Sequence, residues 1–186
     1  MKKNAKSVVL SAALVLICAF VFCGCGITDP AAIEGEGGIA PEGYERLEYA
    51  GSSFYIPPNC KYDSHVNGVD LYRFPDGTFN VNTLDSSAKV QRIKESKFEK
   101  DIKSAMSASG FDCKLDSFKF YKLSGLWILA DELTLTERSS SKVIKEYQFC
   151  YNSSGKQVTL TIAFNNPDVA VESDFPAKLL YSIAIL

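Results

Sequence analysis

His65 is the only histidine in this 186-residue chain, so any hydrolase built on an imidazole base would have to use it. Its nearest partners in sequence are Cys60, a potential thiol nucleophile, and Asp63 and Asp70, carboxylates able to orient the ring. Asp63, His65 and Asp70 could also offer oxygen and nitrogen to a metal. Zinc sites, however, show three or four ligands at regular spacing, and neither a second histidine nor a cysteine pair accompanies this set. The run from Asn59 to Gly68 reads as a polar connection between hairpins. Asp131 and Glu132 are adjacent carboxylates, but on a strand they point to opposite faces and cannot share a substrate atom. Asp131 lies between Leu129 and Leu133, so its burial would demand a partner, and Lys119 or Lys145 on a neighbouring strand could serve. Gly35-Glu36-Gly37-Gly38 has neither the preceding strand nor the following helix of a phosphate loop. Asn152-Ser153-Ser154 has the form of a glycosylation acceptor and reads better as a hairpin turn. The sequence thus assigns no catalytic residue, no metal ligand and no cofactor.

One cysteine does sit in a chemically specific setting. Lys2, Lys3 and Lys6 precede an almost wholly apolar stretch from Ser7 to Phe22, and small Gly24 stands immediately before Cys25. This pattern resembles the lipobox of bacterial lipoproteins, with Phe22 where Leu is usual three positions before the cysteine. The resemblance implies cleavage after Gly24 and a diacylglycerol on Cys25, whose chains each contribute about 0.8 kcal/mol per buried methylene. Cys18 and Cys23 follow bulky Ile17 and Phe22 and fit worse as acceptors. Conventional secretion is one alternative. The other is an uncleaved anchor, because an apolar run of about 17 residues reaches the lower end of what spans a bilayer. The expectation is a protein on the extracytoplasmic face of a bacterial cell membrane, held there by lipid on Cys25.

Loss of Lys2, Lys3 and Lys6 takes the net charge from −2 to −5, which disfavours nucleic acid as a partner. Lys94, Lys97, Lys100 and Lys103 alternate with Glu95, Glu99 and Asp101 and read as the solvated face of a helix. Cys60, Cys113 and Cys150 remain beyond the signal, an odd set that cannot fully pair. A Cys113–Cys150 bridge looks geometrically poor, whereas Cys60–Cys113 stays open.

The elements that must position these residues divide the chain into a signal peptide (1–24), a lipidated cysteine with a flexible tether (25–43) and one globular domain (44–186). The tether expectation rests on the Gly-, Pro- and acid-rich composition of residues 26–43, which offers little to bury. As a coil, such a tether would hold the domain roughly 20 to 25 Å off a membrane. Alternation predicts a hairpin about Gly51-Ser52 closed by Pro57-Pro58, and another about Pro75-Asp76-Gly77. Ser96 with Glu99 reads as the capping box of a helix carrying Phe98, Ile102 and Met106 and stopped by Gly110. Strands 117–123, 126–136, 143–151 and 157–164 form an antiparallel meander with apolar residues on both faces, and a final helix is expected near Glu172–Tyr181. The fold class is therefore α/β of the α+β type, a mainly antiparallel sheet with helices on both faces. Aromatic residues crowd the first two hairpins (Tyr44, Tyr49, Phe54, Tyr55, Tyr62, Tyr72, Phe74, Phe79) and are expected mostly in the core, with a few tyrosines facing outward as a contact surface.

This order of parts is similar to PsbP-like proteins, including bacterial lipoproteins of the LpqN type. The resemblance is carried by Ser53-Phe54-Tyr55-Ile56-Pro57-Pro58, by Leu123-Ser124-Gly125-Leu126-Trp127, by the long hairpins and by Leu179-Leu180-Tyr181-Ser182-Ile183, and it covers about residues 44 to 186. It implies an α/β/α sandwich and a non-catalytic binding or scaffolding role in the cell envelope, toward a protein or glycan partner. The alternatives are a solute-binding lipoprotein and an envelope hydrolase.

Overall fold

A computed structural model describes residues 29–186. Cys25, the signal segment and the start of the tether lie outside them. The domain is sheet-dominated, with a mixed α/β composition and few helices. Its eight-stranded main sheet runs in the order β1-β7-β8-β9-β10-β6-β5-β4. The strands are β1 (Ile33–Gly35), β4 (Lys61–Val66), β5 (Val69–Phe74), β6 (Gly77–Asp85), β7 (Phe111–Leu123), β8 (Leu126–Glu137), β9 (Val143–Ser153) and β10 (Lys156–Phe164). All neighbours are antiparallel except β1, which lies parallel to β7. A separate three-stranded sheet, β11-β3-β2, holds β2 (Glu45–Tyr49), β3 (Ser52–Ile56) and β11 (Ala184–Ile185).

The meander forms because its strands alternate two apolar sets, and each set enters its own core. Ile128, Phe149, Tyr151, Val158, Leu160 and Ile162 join Phe54 and Ile56 of the small sheet and Phe175, Leu179 and Leu180 of the helix α3 (Phe175–Ser182). On the other face Leu129, Leu133, Leu135 and Ile144 meet Phe98, Ile102 and Met106 of the helix α1 (Glu95–Ala108). At about 1.5 to 3 kcal/mol for each large apolar side chain removed from water, these two layers dominate stability. Polar pins fix the small sheet against α3: Ser182 Oγ accepts from Tyr55 N at 3.0 Å and donates to the Leu179 carbonyl at 2.8 Å. Ser52 Oγ lies 2.8 Å from the Tyr151 hydroxyl, tying the same sheet to the meander.

Several sequence expectations change. Residues 59–68 are no connection: Lys61–Val66 is the edge strand β4, turned into β5 by Asn67-Gly68 with φ of 51° and 82°, as a two-residue hairpin requires. The helix starts at Glu95 behind Lys94 rather than at Ser96, since Lys97 N and Phe98 N both donate to the Lys94 carbonyl and Glu99 is taken by Lys103 at 2.6 Å. The last helix is broken in two, α2 (Pro167–Glu172) and α3, with Asn166 Oδ1 capping α2 through Asp168 N at 3.0 Å. Cys60 and Cys113 belong to opposite faces of the sheet, which removes the pairing left open above, and all three cysteines are thiols.

The tether differs most. Residues 29–43 lie along the domain, so the ordered unit begins well before Tyr44. Ile33, Glu34 and Gly35 pair with Tyr121, Lys122 and Leu123, Gly37 N donates to Ser124 Oγ at 3.0 Å, and Gly38 N and Ile39 N donate to the Ile183 and Tyr181 carbonyls at 3.1 and 3.0 Å. Composition misled because this arm is held by its backbone, which needs no bulky side chains. Glycine suits position 37, where a Cβ would be crowded, 3.0 Å from Leu123 Cβ and 3.1 Å from the Ile183 carbonyl oxygen. Gly37→Val is expected to release the arm. Hydrogen exchange at Gly38 and Ile39 should then accelerate by roughly tenfold or more while the β8–β10 amides keep their protection. Exchange at unprotected rates in the wild type would restore the flexible tether.

Candidate functional site

The register of the meander places Ser117, Lys119 and Tyr121 of β7, Ala130 and Glu132 of β8, and Tyr147 and Phe149 of β9 on one face. The helices α2 and α3 stand over this patch and leave a cleft of about 380 Å³, closed above by Ala170, Val171, Pro176, Leu180 and Tyr181. Its roof is largely apolar, its floor mixes Ala130 and Phe149 with Ser117, Lys119, Glu132 and two tyrosines, and one end is charged. There Lys145 Nζ reaches Asp116 Oδ2 at 2.8 Å and Glu132 Oε2 at 3.4 Å, and Thr134 Oγ1 donates to Asp116 at 2.5 Å. Partial burial would raise the Asp116 carboxyl, but hydrogen bonds from Lys114, Lys145 and Thr134 override it and hold the group well below the usual carboxylate range. The Asp116 carboxylate at this end therefore stays charged across ordinary pH. Tyr121 and Tyr181 meet edge to face at 6.5 Å, and Tyr147 stacks under Lys145 at 5.7 Å, so three tyrosines line the opening. Val171 at 79% and Tyr181 at 37% are exposed large hydrophobic residues on the roof. A pocket that sets an apolar roof beside charged groups at one end can orient an amphipathic ligand.

The residues singled out for chemistry are distributed elsewhere. His65 stands on β4 at the far edge of the sheet, exposed, with Nδ1 2.8 Å from Asp70 Oδ1. Asp63 turns instead to Arg73 at 3.1 Å, and its carboxyl is lowered by that hydrogen bond. Among the described residues no three His, Cys, Asp or Glu side chains gather as a metal site. Cys60 is 1% exposed in the turn after β3, where burial pushes its thiol up to about 12, so it is neither next to His65 in the fold nor a thiolate near neutral pH. Of the early aromatics, Phe54, Tyr72 and Phe79 are core, and Tyr62 at 58% exposure is the large hydrophobic residue of that group that faces outward. The tyrosines of the cleft come from later strands and the last helix. Their signal was available: Ser117, Lys119 and Tyr121 alternate as polar or amphipathic residues on a face whose central strands are apolar.

Asp131 is buried as expected, but not with a lysine. Register sets it between Phe118 and Gln148 on the α1 side, whereas Lys119 opposes Ala130 and Lys145 opposes Thr134 on the cleft side. Its neighbours are acids. Burial first, then the nearby Glu146 and Glu132, raise the Asp131 carboxyl well above its ordinary value. Glu146, fully buried, is pushed up to about 8 despite a 2.5 Å hydrogen bond from Gln148 Nε2. Asp131 Oδ1 and Glu146 Oε2 lack hydrogen-bond partners among the described residues. A carboxyl raised in the folded state binds its proton more tightly there than in the unfolded chain. Its contribution is therefore fully present below the unfolded value of 4.5 and is lost as pH rises toward 8. Unfolding stability should fall by up to about 1.4 kcal/mol per pH unit per group over that window. Glu146→Gln is expected to flatten the slope and to be the more stable form at pH 8. Denaturant titrations at a series of pH values check this, and parallel slopes for the two proteins would refute it.

Comparison with known proteins places the fold. No family model matches the chain, and no curated protein matches it in sequence. Among solved structures it is similar to the solution structure of cyanobacterial PsbP (CyanoP) from Synechocystis sp. PCC 6803. The identity is 15%, the match covers 81% of this chain and 96% of that one, and the TM-score is 0.60. It is also similar to a crystal structure from Bacteroides thetaiotaomicron VPI-5482, at 10% identity and a TM-score of 0.51, over 77% of this chain and 49% of that one. This chain thus spans about half the length of the second protein. At such identities the likeness is one of fold, and the domain is PsbP-like.

Proposed function

We propose that the chain is a lipid-anchored extracytoplasmic lipoprotein whose domain, an α/β/α sandwich of PsbP type, is a non-catalytic binding or scaffolding module of the bacterial cell envelope. The cleft under α2 and α3 is its binding site, for a protein or glycan partner. The observation that carries the binding reading is that cleft's make-up: three tyrosines and an exposed Val171 at an opening under an apolar roof, with the Lys145–Asp116–Glu132 cluster at one end. Tyrosine offers large contact area with a polar tip, which suits a surface that must be wet when empty and buried when occupied. The anchor reading rests on Lys2, Lys3 and Lys6, the apolar run to Phe22, and Gly24 before Cys25. Among the described residues no helix is long and apolar enough to cross a membrane.

Two measurements test the halves separately. Detergent phase partitioning should send the wild type to the detergent phase and Cys25→Ala to the aqueous phase, and equal distribution would end the lipid claim. Affinity capture after crosslinking in envelope membranes should lose its partner roughly tenfold in Val171→Glu or Tyr181→Ala, as expected when a hot-spot residue is truncated. His65→Ala should capture the same partner as wild type. A small molecule retained by wild type and lost in His65→Ala would instead point to an activity based on the imidazole, worth roughly 10²- to 10⁴-fold in rate.

A further inference from the structure

The docked arm changes where an anchor at Cys25 would put the domain. From Asp29 onward the chain is held: Arg92 reaches Asp29 at 3.6 Å, Ala32 packs against the α1-side core, and β1 is paired to β7. Only the four residue steps from Cys25 to Asp29 separate the acylated thiol from this contact, about 14 Å when fully extended. A lipid on Cys25 therefore draws one particular face of the domain to the bilayer.

That face is built from Asp29–Ile33, from the connection Gln91–Ser96 into α1, and from Phe118–Phe120, around a cleft of about 790 Å³. It is cationic where it protrudes. Between Asp85 and Glu95 the chain carries Lys89, Arg92 and Lys94 and no acid, and Lys89 and Lys94 are exposed. These charges ride on a rigid turn. Val90 and Ile93 are buried pegs, Val90 N donates to Asn152 Oδ1 at 2.9 Å, and Asn152 Nδ2 donates to the Ala88 carbonyl at 2.9 Å. Trp127, the only tryptophan of the chain, packs against the same core cluster as Val90 and Ile93, with Lys122 Nζ 5.9 Å from its ring centroid. The acids of this face are Glu95 and two ion-paired carboxylates, Asp29 with Arg92 and Glu34 with Lys122 at 3.5 Å.

We propose that the anchored domain lies against the membrane on this face, with Lys89, Arg92 and Lys94 on anionic phospholipid headgroups and Trp127 at the level of the interface. The inference rests on lipidation at Cys25. Each basic side chain near an anionic bilayer adds attraction that a single lipid anchor can use, and tryptophan favours the headgroup zone. The opposite edge of the sheet, β4 with His65, is seven strand spacings from β1, roughly 33 Å away along the sheet, and points to bulk solvent.

The test uses the full lipidated chain in vesicles of phosphatidylcholine alone or mixed two to one with phosphatidylglycerol, each doped with a headgroup nitroxide lipid. Trp127 fluorescence should be quenched roughly threefold more in the anionic vesicles, and high salt should abolish the difference. K89Q/R92Q/K94Q should show no difference between the two vesicles. Moving the single tryptophan to the distal edge with W127F/S64W should give little quenching in either. If the wild type floats with the vesicles yet Trp127 is unquenched, or the distal tryptophan is quenched equally, the orientation is wrong while the anchor stands. If the wild type floats no better than Cys25→Ala, the anchor itself is wrong and this inference falls with it.

Discussion

Both faces of the β7–β10 meander are apolar, and everything else in the domain follows from the need to cover them. A sheet with one wet face could have stood alone as a hairpin stack. Here Ile128 and Leu133 of β8 are both at 0% exposure in opposite cores, so water is excluded above and below the same strand. Among the described residues the long helix α1 takes one side. On the other side the cover is assembled from three pieces: the short α2 and α3 and the separate sheet of β2, β3 and β11. Where the pieces do not meet over β7 and β8, the floor stays open and becomes the cleft.

The cost of a doubly covered sheet is that any polar residue on its central strands is stranded. Asp131, Glu146 and Gln148 illustrate this on the α1 side, where no cation is in register to compensate the two acids. Burial decides the outcome, since holding two unpaired carboxylates charged in such a site would cost several kcal/mol each, while taking up a proton costs only the gap between pH and the unshifted value. Near neutral pH both carboxyls are thus favoured in their protonated, uncharged form. By contrast, Asp116 at the cleft end is held as a carboxylate by hydrogen bonds from Lys114, Lys145 and Thr134, and Lys145 also reaches Glu132. Two neighbouring carboxyls in sequence, Asp131 and Glu132, therefore meet opposite surroundings, a buried acid on one face and a lysine on the other, through nothing more than the two-residue period of a strand.

Much of this was legible in the sequence. The alternation of residues 117–164 specified four strands and two covered faces, Phe98, Ile102 and Met106 specified the face of α1, and the fold likeness agrees with the motifs around Phe54-Tyr55-Ile56-Pro57 and Leu126-Trp127. What escaped reading had physical reasons. The β4 strand was hidden by its polar side chains, though Asn67-Gly68 carried the hairpin signal that should have revealed it. The arm was hidden because backbone hydrogen bonds leave no trace in composition. The cleft was hidden because its residues, from Ser117 to Tyr181, converge only once the register of three strands and the break between α2 and α3 are known.

The arm and the cleft are also mechanically joined. Ile33 pairs with Tyr121, and Ile39 N donates to the Tyr181 carbonyl, so the two tyrosines that meet edge to face at the cleft mouth are each bonded through their backbone to the segment leading from Cys25. Gly38 N holds the Ile183 carbonyl, the residue that ends α3 and begins the return into β11. The carboxyl-terminal end of α3 is thus shared by three structures: the roof of the cleft, the edge of the small sheet and the docked arm. A partner that lifts or turns α3 to enter the cleft must work against the arm's hydrogen bonds. Each such bond has a net worth of about 1 kcal/mol, so the arm sets a small, definite resistance to opening rather than an absolute block. Under the proposed lipidation of Cys25, the same bonds that hold the roof in place would also fix the orientation of the domain relative to its point of attachment.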